Sequence, residues 1–242
     1  MRLPRTLSIR APSTYAVPLP QAREHFQEAN RLEPGLSSVY DSWGRMEASL
    51  GQHRVAASLF ERGLELRPSA RLCHALGVLL DTQGEPEKAR DVLQRGLCLP
   101  NEADNPQLLH ASAIVEARAG RVGGARSLLL SVVSRHPSFT KAYLTLGQLE
   151  ERMGNTQAAR RHYERGATAQ HNDGRQGAVQ LWQSWARLEA RLGRPRKALS
   201  VYRRAAALFP ADEQLIVGWA RLEAEHGDED TARGLYTRVT EM

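Results

Sequence analysis

The stretch LWQSWARLEARLG at residues 181–193 returns in shortened form as IVGWARLEAEHG at residues 216–227. In both, a tryptophan is followed four positions later by a glutamate, and the glutamate four positions later by a glycine. Residues four apart lie on one face of an α-helix. Glycine readily adopts the left-handed conformation that ends a helix. The two stretches therefore predict two copies of one helical unit.

The unit recurs through most of the chain. An alanine holds one fixed position, and successive copies lie 33 to 39 residues apart. These alanines are Ala22, Ala56, Ala89, Ala125, Ala159, Ala198 and Ala232. The matching glycines are Gly51, Gly84, Gly120, Gly154, Gly193 and Gly227, and the closing prolines are Pro34, Pro68, Pro100, Pro137 and Pro210. A period of this length predicts stacked helical hairpins.

Each unit is predicted to hold two helices. The first begins near Tyr40, Cys73, Leu109, Tyr143, Trp182 or Ile216 and ends at its glycine. The second carries the alanine and, four residues later, one of Phe26, Phe60, Leu93, Leu129, Tyr163, Tyr202 and Tyr236. Because small residues let helix axes approach closely, the alanine marks a helix crossing, and Gly63, Gly96 and Gly166 mark a second one. Segments 101–106 and 170–177 are expected to be loops between units.

These units predict an all-α solenoid of tandem helix–turn–helix repeats over residues 21–242, with a half repeat at 21–34 and about six repeats to residue 242. Residues 1–20 form an arginine-containing leader without an acidic residue, typical of an organellar transit peptide or a disordered tail. Since the repeats begin and end on a second helix, we expect a further segment, a partner or another copy of the chain at the ends. Whether the chain forms a homo-oligomer therefore stays open.

The composition excludes several classes of protein. No 18-residue apolar run is present, so no membrane span is expected. Two cysteines are too few for a disulfide framework or a zinc site. The eight histidines are not at ligand spacing, and no nucleotide-binding or catalytic motif appears. We therefore expect no enzyme, no cofactor and no metal site.

A net charge of +6, carried almost entirely by arginine, is compatible with phosphate or carboxylate partners. Coding bias in a GC-rich genome would give the same excess of arginine.

Paired aromatics and a glutamate occupy the first helix, and AR followed by a tyrosine and an arginine occupies the second. Examples are WQSWARLE (182–189) with Tyr202 and Arg204, WARLE (219–223) with ARGLYTR (232–238), and YLTLGQLE (143–150) with ARRHYERG (159–166). Gly44, Gly77 and Gly147 match the first glycine of tetratricopeptide repeats. Over about residues 22–240 the chain resembles the tetratricopeptide repeat and, more closely, its HAT (half-a-tetratricopeptide) variant. This resemblance implies a right-handed α-solenoid whose first helices line a concave face.

The recurring glutamates of the first helices lie on the same face as the aromatics and should be partly buried. They are Glu47, Glu116, Glu150, Glu189 and Glu223. Because a buried carboxylate needs a partner, we expect structural ion pairs with Arg62, Arg95, Arg165, Arg204 and Arg238. The tryptophans are expected to be core residues rather than base-stacking platforms.

The concave face is expected to bind the partner. The candidate residues are Arg45, Arg71, His74, His110, Arg118, Lys141, Gln148, Arg152, Gln183, Arg187, Arg191 and Arg221, and four acids, Asp41, Asp81, Glu151 and Glu225, face them. Arginines would hold the phosphates of single-stranded RNA, and glutamine or histidine would contact unpaired bases. Arginine serves equally well for an acidic peptide.

The resemblance implies a role in RNA metabolism, since HAT repeats occur in splicing, polyadenylation and ribosomal RNA processing. Together with the leader it is similar to chloroplast HAT proteins that protect the 5′ untranslated region of photosystem II messengers. The first hypothesis is thus a non-catalytic RNA-binding protein in an organelle, a chloroplast before a mitochondrion, that shields a transcript or activates translation. The second is a scaffold for proteins of an RNA-processing or photosynthetic complex, and a nuclear location is the alternative.

Overall fold

The computed structural model describes residues 19–34, 36–169 and 175–242. These residues form thirteen α-helices. The first helices of the repeats are α2 (Ser37–Ser49), α4 (Ala70–Thr82), α6 (Pro106–Arg118), α8 (Thr140–Arg152), α10 (Arg175–Arg191) and α12 (Glu213–His226). The second helices are α1 (Leu19–Leu32), α3 (His53–Leu66), α5 (Pro86–Leu97), α7 (Val122–Arg135), α9 (Thr156–Thr168), α11 (Pro195–Leu208) and α13 (Glu229–Thr240). The predicted all-α solenoid is confirmed.

The repeat boundaries follow the predicted signals, with two differences. Five of the predicted glycines have φ between 70° and 79° two residues after a first helix. Gly227 does not, since its φ is −125°. A Cβ there would lie 1.9 Å from Glu223 Oε2, so this glycine leaves room for the buried carboxylate. The predicted loop 170–177 is too long, because α10 begins at Arg175. Residues 1–18 of the leader predicted over 1–20 lie outside the described residues, as do residues 170–174, and the last two leader residues begin α1 at Leu19.

Small residues bring the helices together as predicted. Five of the crossing alanines are completely buried, from Ala56 to Ala198. A Cβ on Gly166 would lie 2.6 Å from Tyr143 Cβ, and one on Gly63 would lie 2.8 Å from Tyr40 Cβ. Real side chains do not approach so closely, so an alanine at either glycine would force two helices apart. Trp182 and Trp185 are core residues as predicted, at 1% and 2% exposed. Trp219 is half-buried and packs against the core, and Trp43 is half-buried.

The order of contacts sets the two faces of the solenoid. Each first helix contacts the first helix of the next repeat, from α2 against α4 to α10 against α12. No Cα atoms of consecutive second helices come within 8 Å of each other in the described chain. The first helices are therefore closer together and line the inner face, as expected. None of the described helices is long and apolar enough to cross a bilayer.

Candidate binding groove

A glutamate joins each of five first helices to the preceding repeat, and four of the five are buried, Glu116 being partly exposed. Glu189, for example, is completely buried. It pairs with the Arg160 guanidinium and accepts a hydrogen bond of 3.2 Å from Trp185 Nε1. Burial opposes ionisation of Glu189, but the hydrogen bonds from Arg160 and Trp185 outweigh it and hold the carboxyl pKa below its usual value. The residue is thus a structural anion rather than a catalytic acid.

The expected partners of these glutamates are wrong. In four repeats the arginine comes directly after the crossing alanine, whereas the predicted arginines come six residues after it. Positions five apart lie about 140° apart around a helix. The pairs are Arg23–Glu47 (2.7 Å), Arg90–Glu116 (3.3 Å), Arg126–Glu150 (2.6 Å) and Arg160–Glu189. Glu116 has a second and closer partner, Arg121 of its own repeat, at 2.6 Å. At Glu223 the partner is Arg203 at 2.9 Å, four residues after Leu199 on the same helix face.

The arginines predicted as partners make other contacts. Arg165 lies over the Tyr143 ring, and Arg204 lies over the rings of Trp182 and Trp185 at 5.2 and 5.9 Å. Arg62 pairs with Glu65, and Arg238 donates to the Pro210 carbonyl oxygen. No carboxylate of the described residues lies within 4 Å of Arg95. Two of the five thus hold aromatic rings by cation–π contact.

A groove of about 980 Å³ lies on the inner face between α8, α10 and α12. Six of the predicted site residues line it: Gln148, Arg152, Gln183, Arg187, Arg191 and Arg221. Two tyrosines of the second helices, Tyr163 and Tyr202, also reach it and were missed. Their rings pass between first helices where a glycine leaves space, since a Cβ on Gly147 would lie 2.2 Å from Tyr163 Cε1.

The remaining predicted site residues lie on α2, α4, α6 and α8, outside this groove. Arg45 and Arg71 both pair with Asp41, at 2.8 and 3.5 Å, and Arg118 pairs with Asp81. These three guanidiniums therefore already hold carboxylates.

The two histidines of the inner face are uncharged near neutral pH. Burial lowers the pKa of His74, and Arg45 and Lys141 lower it further. Burial, then Lys141 and His74, lower the pKa of His110 to about 4. His110 Nε2 lies 2.8 Å from Thr145 Oγ1, within hydrogen-bond range. Neither histidine adds positive charge to the face at pH 7.

One position of the inner face differs in charge between repeats. The residue after the glutamate position is an acid at Asp81 and Glu151 and an alanine at Ala48, Ala117, Ala190 and Ala224. Where it is an acid, an arginine of the next first helix pairs with it: Arg118 with Asp81 and Arg191 with Glu151. Arg152 holds the same position in α8, and the repeat that it faces has Ala117 in place of an acid. Within the described chain no carboxylate lies within 4 Å of Arg152, Arg187 or Arg221, and all three line the groove.

A match to a family model shows which protein family the chain belongs to. The model described as "Pre-mRNA-splicing factor Syf1/CRNKL1 C-terminal HAT repeat" matches residues 11–242. The chain belongs to this HAT-repeat family. The predicted resemblance is thereby confirmed for the family.

Solved structures similar to this HAT-repeat chain share its fold. The type IV pilus biogenesis factor PilW is 18% identical, with a TM-score of 0.63 over 81% of this chain and 88% of that one. Pseudomonas aeruginosa PilF is 20% identical, with a TM-score of 0.62 over 85% and 90%. In the Cut9–Hcn1 hetero-tetramer, the TM-score is 0.61 at 12% identity, over 91% of this chain and 42% of that one.

A curated protein matches part of this HAT-repeat chain. The probable biofilm formation methyltransferase WspC of Pseudomonas aeruginosa (strain PAO1) is 37% identical over 89 residues, which are 36% of this chain. The match spans one fifth, 20%, of the length of WspC. It therefore relates a segment of the two chains rather than the whole proteins.

Proposed function

We propose that this chain is a non-catalytic scaffold that holds an acidic segment of a partner protein in the groove of α8, α10 and α12. The observation that carries the proposal is the set of groove arginines without a carboxylate partner in the described chain, Arg152, Arg187 and Arg221. Guanidinium groups bind carboxylates through two parallel hydrogen bonds. The amides of Gln148, Gln183 and Gln214 line the same groove and can pair with the backbone of an extended segment.

Side chains for catalysis are not assembled in the groove. Its described lining holds no histidine, cysteine or lysine, and the Tyr163 hydroxyl donates to Glu151 at 2.6 Å. No group of three or more His, Cys, Asp or Glu residues in the described chain could hold a metal ion. A binding role suits these side chains better than general acid–base chemistry.

Single-stranded RNA is the second candidate ligand, favoured by the splicing-factor family to which the chain belongs. A transcript would need positive charge along much of the inner face. Arg45, Arg71, Arg118 and Arg191 are already paired with carboxylates, so the free charge is concentrated at one end. A short acidic peptide fits that distribution better. Organellar RNA processing, in a chloroplast or mitochondrion, and the nuclear alternative remain predictions.

Fluorescence anisotropy tests the proposal directly. A labelled peptide of alternating glutamate and serine is compared with a labelled oligouridylate on the wild type, on Arg187→Glu/Arg221→Glu, and on Arg161→Glu, an exposed control on α9. We expect the acidic peptide to lose about tenfold or more in affinity with the double variant and less than about twofold with the control. Tighter binding of the oligouridylate, with a steep dependence on salt, would instead support the RNA role.

The absence of binding by both probes at low salt would overturn both candidates. A pull-down with nuclease treatment gives an independent answer, since a scaffold keeps its protein partner after RNA is destroyed.

A further inference from the structure

Tyr202 brings to the groove a hydroxyl that has no hydrogen-bond partner among the described residues. Its side chain belongs to the core, and the residue is 5% exposed. In the preceding repeat the equivalent Tyr163 donates its hydroxyl proton to Glu151 at 2.6 Å. The position equivalent to Glu151 in the repeat of Tyr202 is Ala190, which also lines the groove. The Tyr202 hydroxyl therefore lacks the acceptor that its counterpart has.

Space for the Tyr202 hydroxyl comes from α12. A Cβ on Gly218 would lie 2.9 Å from the Tyr202 oxygen, so the glycine lets the hydroxyl reach the groove. The hydroxyl proton is therefore available to an acceptor group of a ligand in the groove.

Two arginines stand beside this hydroxyl. Arg187 and Arg221 occupy the same position in consecutive repeats, two residues before the buried glutamates. Burial raises the pKa of Tyr202, while the positive charges of Arg187 and Arg221 act on its hydroxyl in the opposite direction. Arg187 Nε donates to the Gln183 carbonyl oxygen at 3.3 Å, which leaves its terminal nitrogens available.

The number of donors and the charge indicate the kind of ligand. Two guanidiniums supply two positive charges, and together with the phenol they supply three separate donor groups. A carboxylate has one negative charge and two oxygens, whereas a phosphate monoester carries about 1.5 to 2 negative charges and three terminal oxygens at pH 7. The other charges that line the groove balance one another, since Arg191 is paired with Glu151 and the charges of Arg152 and Glu225 are opposite.

We propose that Tyr202, Arg187 and Arg221 form a subsite for a phosphate monoester on the bound partner segment, so that the scaffold prefers a phosphorylated partner. This inference rests on the proposed function, because it names the chemical group that the groove takes from that partner. The hydroxyl donates to one phosphate oxygen and the two guanidiniums bind the others.

Side-chain NMR of the arginine Nε–Hε groups tests the subsite. The probes are phosphoserine and glutamate, each capped at both ends, and uridine 5′-monophosphate. We expect capped phosphoserine to shift the signals of Arg187 and Arg221 at concentrations about tenfold lower than capped glutamate requires. Arg126, which holds the buried Glu150, is the internal control and should not move.

Two variants assign the effect to the tyrosine. Tyr202→Phe keeps the ring and should reduce the preference for phosphoserine over glutamate to about twofold or less. Ala190→Glu supplies the acid that Tyr163 has, so it should occupy the Tyr202 hydroxyl and prevent phosphoserine binding. Arg161→Gln on α9 is the matched control and should behave as the wild type. Thermal melts check that each variant is folded.

Equal affinity for phosphoserine and glutamate would overturn the phosphate subsite while the scaffold role remained intact. Stronger shifts with uridine 5′-monophosphate would overturn it in favour of nucleic acid. Wild-type affinity in Ala190→Glu would also overturn it. Failure of the acidic peptide in the anisotropy assay, by contrast, would remove the scaffold role itself.

Discussion

The repeat of α4 and the repeat of α10 have the same backbone but different internal chemistry. In α10, buried Glu189 binds Arg160 of the preceding repeat and Trp185 of its own helix. At α4 the equivalent residues are Leu80 and Leu76 of this helix and Ala57 of α3 in the preceding repeat. Leu80 is 8% exposed within an apolar cluster. All three positions change together. The comparison teaches that the carboxylate and its donors form one unit, which apolar packing replaces as a whole.

The largest effect is expected from reversing the charge at the polar site. In Glu189→Lys, a buried ammonium would face Arg160, Arg194 and Lys197. An uncompensated buried charge costs about 3–5 kcal/mol, so we expect the C-terminal repeats to unfold. Urea titration followed by circular dichroism measures the loss. Glu164→Lys, at an exposed position of α9, should change stability by less than about 0.5 kcal/mol. An unchanged melting curve for Glu189→Lys would contradict the buried pairing.

The next largest effect is expected from placing the acid in the apolar repeat. Leu80→Glu buries a carboxylate opposite Ala57 and should cost about 3 kcal/mol. Adding Ala57→Arg rebuilds the pair found at Arg160 and Glu189, and should recover at least about 1 kcal/mol. A double-mutant cycle by chemical denaturation gives the coupling energy. A coupling energy of zero would show that the polar pair cannot replace the apolar packing at these two positions.

A smaller effect separates the observed partner from the one predicted from the sequence. Arg160→Ala removes the guanidinium from Glu189, where Arg194 and Lys197 remain nearby, and should cost about 2 kcal/mol. Arg165→Ala removes a cation–π contact with Tyr143 at an exposed position and should cost about 0.5–1 kcal/mol. Thermal unfolding of both variants gives the order. If Arg165→Ala were the more destabilising variant, the result would support the pairing with Arg165 that the sequence predicted.

The smallest effect concerns the inner face between the two repeats and depends on pH. The folded pKa of His110, about 4, lies below its usual value of 6.5. The unfolded chain therefore binds more protons between these values, and stability falls as the pH falls from 6.5 to 4. His110→Gln should cost about 1 kcal/mol at pH 7. It should also show a shallower loss of stability across this range, as measured by urea midpoints. Parallel pH profiles of stability for the wild type and His110→Gln would show that His110 does not contribute to the pH dependence.

The sequence predicted the fold because it depends on residues that act locally. Alanines at helix crossings and glycines with positive φ mark the repeats whatever lies elsewhere in the chain. The partners of the buried glutamates could not be predicted in the same way. Arg160 and Arg165 both lie on α9, and only the rotation of that helix against α10 decides which of them reaches Glu189.

The groove was predicted in part for a similar reason. Arg187 and Arg221 follow from the helical periodicity of α10 and α12, so the sequence placed them on the inner face. Tyr163 and Tyr202 belong to second helices, and their positions predict core residues. Whether the far end of such a ring emerges depends on a glycine in another helix, Gly147 or Gly218. A search for glycines opposite tyrosines would have found them.

The bond between Arg160 and Glu189 crosses the border between two hairpins rather than lying inside one. For most of the buried glutamates, the smallest piece that keeps the arginine partner is therefore a second helix with the first helix that follows it. Anyone who shortens, lengthens or shuffles the array should cut at the turn within a hairpin, as at Gly193. Cuts between hairpins would take the only cationic partner in the described chain from Glu47, Glu150 and Glu223. Glu116 would keep Arg121, and Glu189 would keep Arg194 and Lys197.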